Sequence, residues 1–407
     1  MILLRNNNKL RQSILLLFNC CLVFSIPFET IYSNVALIIS TLGLFLFSDK
    51  NHLILLLRNK AYLFLVSNCL VFLLGLIYID MSFFVVYEAR IGKTILLLLL
   101  PVLIFTLTEL KNEEVENNIL LSLVYSVLFG LFLIFILAII RNPNNQFIFN
   151  YGDLTKYIGG IHPAYFSLFC AMAFFIVLEK FINHIELKVK ILCFLILMIL
   201  FGAILIINAR TPIVAFFVCL LIYFILKIKS LKLVLMIFIG LSSVIITLYL
   251  TFSQSQINLF KERLFNNLYF SFLLRTEIWN CSWSVFKNFG SPWFGVGSGN
   301  VQPLLNECYK QNFLTRPYFL NYNVHNEHFL VLVRNGLVGF FFWINMFVYG
   351  LYISVKRKNV LGILFLLLFF ISCMTEVYLQ RIWGVLFFGI FYSYFIVNGE
   401  FRYKESR

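Results

Sequence analysis

The chain has 407 residues, of which 61% are hydrophobic and 12% are charged, with a net charge of +14 and a mean hydropathy of +0.92. A soluble domain carries roughly 25% charged residues, so this composition leaves too little polar surface to cover a globule in water. Solid apolar runs such as residues 364–371 also exclude the alternating pattern of a membrane β-barrel. The composition therefore predicts an all-α integral membrane protein.

Apolar segments near the length that a helix needs to cross the hydrocarbon core follow one another along the chain. In chain order they are residues 14–29, 31–48, 61–79, 91–108, 119–140, 160–179, 190–208, 211–227, 231–252, 327–350, 359–374 and 382–397. We predict about 12 transmembrane helices that form a single polytopic domain over residues 1–407.

Lysine and arginine are concentrated in alternate connections between these segments, for example at Lys356, Arg357 and Lys358. Because basic residues favour the cytoplasmic side, both termini are predicted to be cytoplasmic, and the basic charge implies no nucleic-acid partner. In this orientation residues 253–326, between the ninth and tenth helices, form one large extracytoplasmic loop. Its many Phe, Trp, Leu and Tyr residues predict a folded loop with short helices.

Several classes of site are excluded by what the chain lacks. The three aspartates lie far apart, so there is no paired-Asp motif for a metal and a nucleotide sugar. Residues 92–94 resemble the end of a phosphate-binding loop, but Tyr87 replaces the required earlier glycine. The five histidines form no H-E-x-x-H motif. We therefore expect no metal, no ATP site and no cofactor.

Two cysteines, Cys281 and Cys308, fall within the large loop. They can form a disulfide if the loop lies in an oxidising compartment, and the sequence leaves this open.

Two arginines are predicted at the outer ends or surfaces of helices. Residues 208–212 join two apolar spans, and Pro212 suits the first turn of the second. Arg210 is then held at the membrane edge, where it either anchors the helix or binds an anion. Arg275 and Trp279 share one helical face, which predicts a helix lying in the membrane interface.

Glycines and histidines supply further polar signals. The glycines of residues 289–300 either form a tight turn or direct amide groups toward an anion. His325 precedes a long apolar helix and is either an interfacial structural residue or a base, because histidine exchanges protons near neutral pH. His162, before Pro163, either starts the sixth span or ends the preceding loop. Glu376 lies on the predicted outer side, where it can pair with Arg381.

In combination these motifs resemble the O-antigen ligase and polymerase superfamily of bacterial membrane glycosyltransferases. The likeness extends over residues 155–395, whereas the first half of the chain is similar only in hydropathy. It rests on H-P-x-Y-F-S at 162–167, an arginine after a helix at Arg210, R-x-x-x-W at 275–279, G-x-G-x-G-N at 295–300, and H-N-E followed by G-x-x-G within 325–339. Residues 375–385 are also similar, with Gln380 where a second Glu is expected.

The resemblance implies a metal-independent enzyme of the bacterial inner membrane that acts on the periplasmic face. Its donor would be a glycan on undecaprenyl diphosphate, and its acceptor a hydroxyl of lipid A-core or of another glycan. Arg210 and Arg275 would bind the diphosphate and His325 would activate the acceptor, which makes these three the catalytic candidates. The candidates for substrate binding are His162, Tyr165, Trp279, Gly297, Asn300, Asn326 and Glu376. Membrane lipids would be the remaining partner.

Three functions stay open at this point. A ligase would move a finished glycan to lipid A-core or another surface acceptor, and a polymerase would join repeat units on the lipid carrier. A flippase or transporter of lipid-linked sugars would place polar residues at the bilayer midplane, often in repeated halves. The predicted polar residues gather at one surface and no repeat is visible, which favours transferase chemistry.

Overall fold

The computed structural model describes residues 8–47, 50–75, 84–105, 113–141, 154–183, 186–227 and 267–405, together with residues 239, 240, 242, 243 and 246. These residues form helices and turns and no strand, apart from an isolated bridge between Ser291 and Gly295. The predicted all-α class is confirmed for this part of the chain. Of the predicted ninth span, 231–252, only residues 239, 240, 242, 243 and 246 are described. The start of the predicted large loop, 253–266, lies outside the described residues.

The helices of the described part are numbered here in chain order. They are α1 (Asn8–Ser25), α2 (Thr30–Phe47), α3 (Lys50–Leu57), α4 (Lys60–Leu74), α5 (Phe84–Phe105), α6 (Glu113–Arg141), α7 (Pro163–Asn183), α8 (Leu187–Ile207), α9 (Arg210–Lys227), α10 (Asn267–Phe289), α11 (Val301–Gln311), α12 (Thr315–Phe319), α13 (Glu327–Lys356), α14 (Val360–Ser372), α15 (Ile382–Tyr392) and α16 (Asn398–Glu405). Short 3-10 turns occupy Leu154–Ile158 and Tyr378–Gln380, and a π-helical turn occupies Ser393–Val397.

Six of the described helices are long and apolar enough to cross a membrane. They are Asn117–Ile140, Pro163–Asn183, Leu187–Ile207, Arg210–Lys227, Glu327–Lys356 and Ile382–Phe401. Each coincides with a predicted span. Shorter apolar helices at Ser13–Ser25, Thr30–Gly43, Lys60–Leu74, Ile91–Ile104 and Val360–Ser372 lie at five further predicted spans. The protein is thus a multi-pass membrane protein, while the count of 12 spans stays a prediction.

The chain divides into two compact units. The first comprises Met1–Lys50, Thr106–Leu264 and Val360–Ile371, and the second comprises Asn51–Phe105, Phe265–Asn359 and Ser372–Arg407. The single polytopic domain predicted over residues 1–407 stays a prediction.

The first unit is built around α7, in which residues 163–178 are all buried. α6, α8 and α9 pack against it, and Phe174 lies edge-on to Phe216 of α9 with 4.9 Å between ring centroids. At the far end of α7, Glu179 accepts hydrogen bonds from Tyr223 at 2.8 Å and from Lys227 at 2.6 Å. An aromatic contact and two hydrogen bonds thus hold α7 against α9.

The second unit contains a bundle in which α4 packs against α13 and α5 packs against α15. Asn59 caps α4, because its side chain accepts from the Tyr62 amide at 3.0 Å. The buried carboxylate of Glu400 accepts from two further amides of the same first turn, those of Lys60 at 3.1 Å and Ala61 at 2.8 Å. Helix α16 is thereby fixed to the start of α4. The first amides of a helix have no partner within the helix, so they favour a negative charge such as that of Glu400.

A break at Gly336 interrupts α13. Gly336 has φ 64° and ψ −164°, a conformation open essentially to glycine alone. Residues 292–297 fill the break: the amides of Val296 and Gly297 donate to the carbonyls of residues 333 and 334, at 2.9 and 3.0 Å. In return, Leu337 and Val338 donate to the carbonyls of residues 292 and 293. Broken backbone at membrane depth is tolerated when the protein satisfies it in this way.

Candidate functional site

His325 lies immediately before α13, in a short turn whose backbone is held on both sides. Its amide donates to the side chain of Asn323 at 2.9 Å, and its φ of 48° is left-handed. Asn326, the next residue, is the N-cap of α13 and accepts from the Phe329 amide at 2.9 Å. Asn326 thus caps the helix and leaves His325 just outside it, and the assignment of Asn326 to substrate binding stays a prediction.

The carboxylate of Glu376 faces the His325 ring. Its Oε2 lies 3.8 Å from Nδ1, and the side chains are 15% and 27% exposed. Nδ1 is buried and has no hydrogen-bond partner among the described residues. Glu376 is held there by the segment that follows it, since the Leu379 amide donates to the buried carboxylate of Glu327 at 2.9 Å. The structure therefore brings together two of the predicted site residues, Glu376 and His325.

Helix α10 is attached to the same turn. The indole of Trp279 donates to the carbonyl of Val324, the residue before His325, at 3.0 Å. Arg275 lies one turn earlier on α10 and is half-buried. Of the pair predicted to share a helical face, Trp279 fixes the helix to the turn that carries His325, and the role of both residues toward substrate stays a prediction.

A compact core and a disulfide hold α10 to α11. Cys281 and Cys308 are bonded, with 5.7 Å between their Cα atoms. Ile278, Leu305 and Tyr309 are buried around them. Burial raises the pKa of the Tyr309 hydroxyl, which stays protonated and donates to the carbonyl of Tyr322 at 3.2 Å. The pairing that the sequence left open is present, and it stiffens the part of the chain that carries Arg275.

The glycine-rich segment uses its amides within the protein. The amides of Gly295, Val296, Gly297 and Ser298 donate to carbonyls of Ser291, Val333, Arg334 and Gly75 respectively. Asn300 donates from its side chain to the Val296 carbonyl at 3.0 Å. These bonds build the joint with α13, and the assignment of Gly297 and Asn300 to substrate stays a prediction.

The remaining candidates belong to the first unit. His162 precedes α7, where its carbonyl accepts from the Tyr165 amide at 3.0 Å and its ring lies edge-on to the Tyr165 ring. Tyr165 is fully buried. Arg210 opens α9 two residues after Asn208, the C-cap of α8, which has a left-handed conformation at φ 54°. Pro212 lies in the first turn of α9, as predicted. The roles of His162, Tyr165 and Arg210 in substrate binding stay predictions.

Two cations that the sequence reasoning did not select line a cavity in the second unit. They are Lys93 of α5 and Arg334 of α13, and Gln380 lies between Lys93 and the histidine turn. For Arg334 the available signal was a cation well inside the apolar helix α13, because such residues usually face a polar interior. What could not be read from the sequence was that two such helices place their cations in one cavity.

Among the described residues, no group of three or more His, Cys, Asp or Glu is placed to hold a metal ion. The expectation of a metal-independent enzyme stays a prediction.

The fold and the site define a multi-pass membrane protein with a histidine–carboxylate pair at the start of a long apolar helix. A family model described as O-antigen ligase matches residues 193–344, which include Arg210, Arg275 and His325. The match confirms, for residues 193–344, the resemblance predicted from the motifs, and this segment is similar to the domain of that family. The family indicates a glycosyltransferase-type enzyme of O-antigen assembly that acts on a lipid-linked glycan and an acceptor. Comparison with curated proteins gives no match.

Proposed function

We propose that this protein is an O-antigen ligase-like glycosyltransferase of the bacterial inner membrane. It moves a glycan from undecaprenyl diphosphate to an acceptor hydroxyl on the periplasmic face. The acceptor is lipid A-core or another surface molecule. The observation that carries the proposal is the pair of His325 and Glu376, which lie 3.8 Å apart. Trp279 attaches the turn of His325 to the helix that carries Arg275. His325, Trp279 and Arg275 lie within residues 193–344, the segment that the family model matches.

The pair suits general base catalysis. Nδ1 of His325 faces Glu376, so the acceptor proton goes to the other ring nitrogen, Nε2, and the carboxylate stabilises the imidazolium that forms. The acceptor oxygen then bonds to the anomeric carbon as the bond from that carbon to the diphosphate oxygen breaks. The electron pair of the broken bond leaves with the lipid diphosphate, and His325 holds the proton.

The arginines suit the leaving group. Guanidinium groups stay charged and form bidentate hydrogen bonds with phosphate oxygens. Arg275 stabilises the charge that develops on the diphosphate as the glycosidic bond breaks, and the role of Arg210 toward the diphosphate rests on the resemblance alone.

The proposed orientation has two supports. Basic residues concentrate in the connections assigned to the cytoplasm, such as 356–358, which also places both termini there. The bond between Cys281 and Cys308 favours an oxidising compartment for the segment that carries Arg275. Both support a periplasmic active site.

The proposal is tested by the lipopolysaccharide profile of a deletion strain, together with extraction of undecaprenyl-linked glycan. Core without O-chains, with long polymer left on the lipid carrier, is the result expected for a ligase. Core bearing a single repeat unit would instead make the protein a polymerase, which uses the same donor. An unchanged profile would exclude lipid A-core as the acceptor and leave either another surface polymer or the transporter function.

The residue assignments are tested by complementing that strain with Arg275→Ala and His325→Ala. Both variants are expected to insert in the membrane and fail to restore O-chains. Arg316→Ala is the matched control, because Arg316 is an exposed arginine on α12. Normal O-chains in the His325→Ala strain would contradict the assignment of the base.

A further inference from the structure

The disulfide lies next to the two side chains that hold the turn of residues 321–325, which carries the proposed base. It joins Cys281 of α10 to Cys308 of α11. Trp279 lies two residues before Cys281, and Tyr309 directly follows Cys308. A change in the disulfide therefore acts on both helices close to the points where they contact the turn.

Each of the two helices holds one backbone carbonyl of the turn. From α10, the indole of Trp279 donates to the carbonyl of Val324 at 3.0 Å. From α11, the carbonyl of Tyr322 accepts from the hydroxyl of Tyr309 at 3.2 Å and from the side chain of Gln302 at 3.0 Å. The chain is thus held from two helices at positions directly before the proposed base.

The geometry of the base depends on this support. His325 has a φ of 48°, a left-handed conformation that is costly for most residues other than glycine. The ring of Tyr322 lies edge-on to the ring of His325, with 5.4 Å between the ring centroids. A movement of residue 322 away from α11 therefore also moves the ring that packs against the imidazole.

One of the two sulfurs is open to exchange. Cys281 is 3% exposed, whereas Cys308 is only partly buried. The side-chain amide of Asn312, an exposed residue, donates to Sγ of Cys308 at 3.3 Å and to Sγ of Cys281 at 3.7 Å. A donor beside both sulfurs stabilises the thiolate that leaves when the disulfide is attacked.

We propose that the bond between Cys281 and Cys308 is a redox control of the transferase site. The oxidised bond keeps α10 and α11 in the arrangement that holds the turn. Reduction by a protein dithiol loosens α11 from α10, and glycan transfer slows. The coupling of the bond to the turn follows from the contacts themselves, whereas its effect on glycan transfer rests on the proposed function.

Reduction proceeds by two thiol–disulfide exchanges. A thiolate of the dithiol attacks Sγ of Cys308 and forms a bond to it, while the bond between Cys308 and Cys281 breaks. The electron pair of the broken bond stays on Sγ of Cys281, which takes up a proton. The second thiol of the dithiol then displaces Sγ of Cys308, which also takes up a proton. The dithiol becomes a disulfide, and the protein gains two electrons and two protons.

Glycan transfer by the purified full-length protein in proteoliposomes tests the control, with dithiothreitol as the dithiol. We expect the reduced protein to transfer glycan roughly tenfold more slowly at saturating substrates, because the hydrogen bonds that place the base are weakened. Reoxidation with oxidised glutathione is expected to restore the rate. An equal rate in both states, or a loss that reoxidation does not restore, would overturn the redox control.

Two variants show which cysteines are responsible. The double variant Cys281→Ser and Cys308→Ser is expected to transfer at the rate of the reduced wild type and not to respond to dithiothreitol. Cys21→Ala removes an exposed free cysteine and is expected to respond as the wild type does. A response to dithiothreitol in the double variant would overturn the assignment to this disulfide. Reversible reduction of the wild type gives the answer even if the double variant does not fold.

Hydrogen exchange of backbone amides measures the coupling without any transfer reaction. In the turn, the amide of Tyr322 donates to the carbonyl of Pro317 at 3.0 Å, and the amide of His325 donates to Asn323 at 2.9 Å. We expect reduction to speed the exchange of residues 321–325 and to leave that of α7 unchanged. Unchanged exchange in the turn would overturn the coupling.

Access to the disulfide is tested by its rate of reduction in the folded protein. Asn312→Ala is expected to slow reduction by dithiothreitol roughly three- to tenfold, because the leaving thiolate loses a donor. Asn288→Ala, at an exposed asparagine of α10, is the matched control and is expected to change nothing. Equal rates in the two variants would overturn the role of Asn312. Resistance of the folded protein to dithiothreitol would overturn the redox control itself.

Failure of this inference is distinguishable from failure of the proposed function. If the oxidised protein transfers no glycan but reduction still speeds exchange in residues 321–325, the proposed function falls and the coupling stands. If the protein transfers glycan equally well in both redox states, only this inference falls.

Discussion

At the scale of single residues, His325 is held in a conformation that most residues avoid. A left-handed backbone costs a non-glycine residue roughly 1–2 kcal/mol. The bond from its amide to Asn323 and the capped helix that follows offset this cost. Asn323 also donates to Gln380, so one amide side chain positions both the histidine and the segment after Glu376. We regard Asn323 as a positioning residue.

Asn323→Ala is therefore expected to slow glycan transfer while leaving the fold intact. It removes two hydrogen bonds, each of about 1 kcal/mol, which corresponds to a rate loss of roughly tenfold or more. The measurement is the initial rate of transfer at saturating acceptor. Asn345→Ala is the control, because Asn345 lies outside the site and its side chain donates to the carbonyl of Phe341 in the same helix. A full rate in Asn323→Ala would contradict the positioning role.

At the scale of elements, periodicity and hydropathy predicted where the apolar helices run. The predicted spans 160–179, 190–208 and 211–227 correspond closely to α7, α8 and α9. The break inside the predicted span 327–350 was not predictable, because hydropathy does not register one glycine with positive φ. The hydrogen bonds that residues 292–297 make at this break were not predictable either, because contacts between distant segments leave no local pattern.

The same limit applied to the candidate site. The start of a helix after His325 was predictable because helix capping depends on neighbouring residues, and Asn326 does cap α13. Lys93 and Arg334 were missed because the sequence does not show which helices pack together. Their proximity exists only after α5 and α13 have packed in one bundle.

The joint between α13 and the glycine segment predicts the effect of Gly336→Ala. A Cβ at this position would collide with the backbone of Trp293 and would lie 2.5 Å from the amide nitrogen of Gly295. Together with the positive φ, this predicts a loss of roughly 2 kcal/mol or more in the free energy of unfolding.

Thermal unfolding in detergent measures this loss, and Gly92→Ala is the control. A Cβ at Gly92 meets nothing within 4 Å, and its φ is not positive, so little change is expected there. Equal unfolding temperatures for the two variants would contradict the account of the joint.

The disulfide predicts a second effect at the element scale. Cys281 and Cys308 are 27 residues apart, so closing this loop in the unfolded chain is worth about 3.5 kcal/mol by chain entropy. Replacing both cysteines with alanine is expected to lower the unfolding temperature, whereas Cys21→Ala, at an exposed free cysteine, is not. Labelling of Cys281 and Cys308 by a maleimide in the unreduced native protein would contradict the bond.

At the scale of the whole molecule, charge and redox chemistry point to the same orientation. The basic connections favour the cytoplasm, and the disulfide favours the periplasm for the segment 281–308. The two arguments are independent, because one depends on lysine and arginine and the other on cysteine.

This orientation predicts which introduced cysteines react in intact cells. Arg316→Cys, on α12, is expected to be labelled by a small maleimide that does not cross the inner membrane, and Lys188→Cys, on α8, is expected to be protected until the cells are opened. Both positions are exposed, and Cys21→Ala removes the exposed native thiol from the background. The reverse pattern would place the histidine site on the cytoplasmic side and contradict the proposed orientation.

The most direct test of the central claim is glycan transfer by the purified protein in proteoliposomes. The donor is glycan on undecaprenyl diphosphate, the acceptor is lipid A-core, and wild type is compared with His325→Ala. The account predicts that wild type forms the glycan-bearing acceptor and releases undecaprenyl diphosphate, and that His325→Ala does neither although it is folded. Transfer at the same rate by both proteins would contradict the assignment of the reaction to the pair of His325 and Glu376.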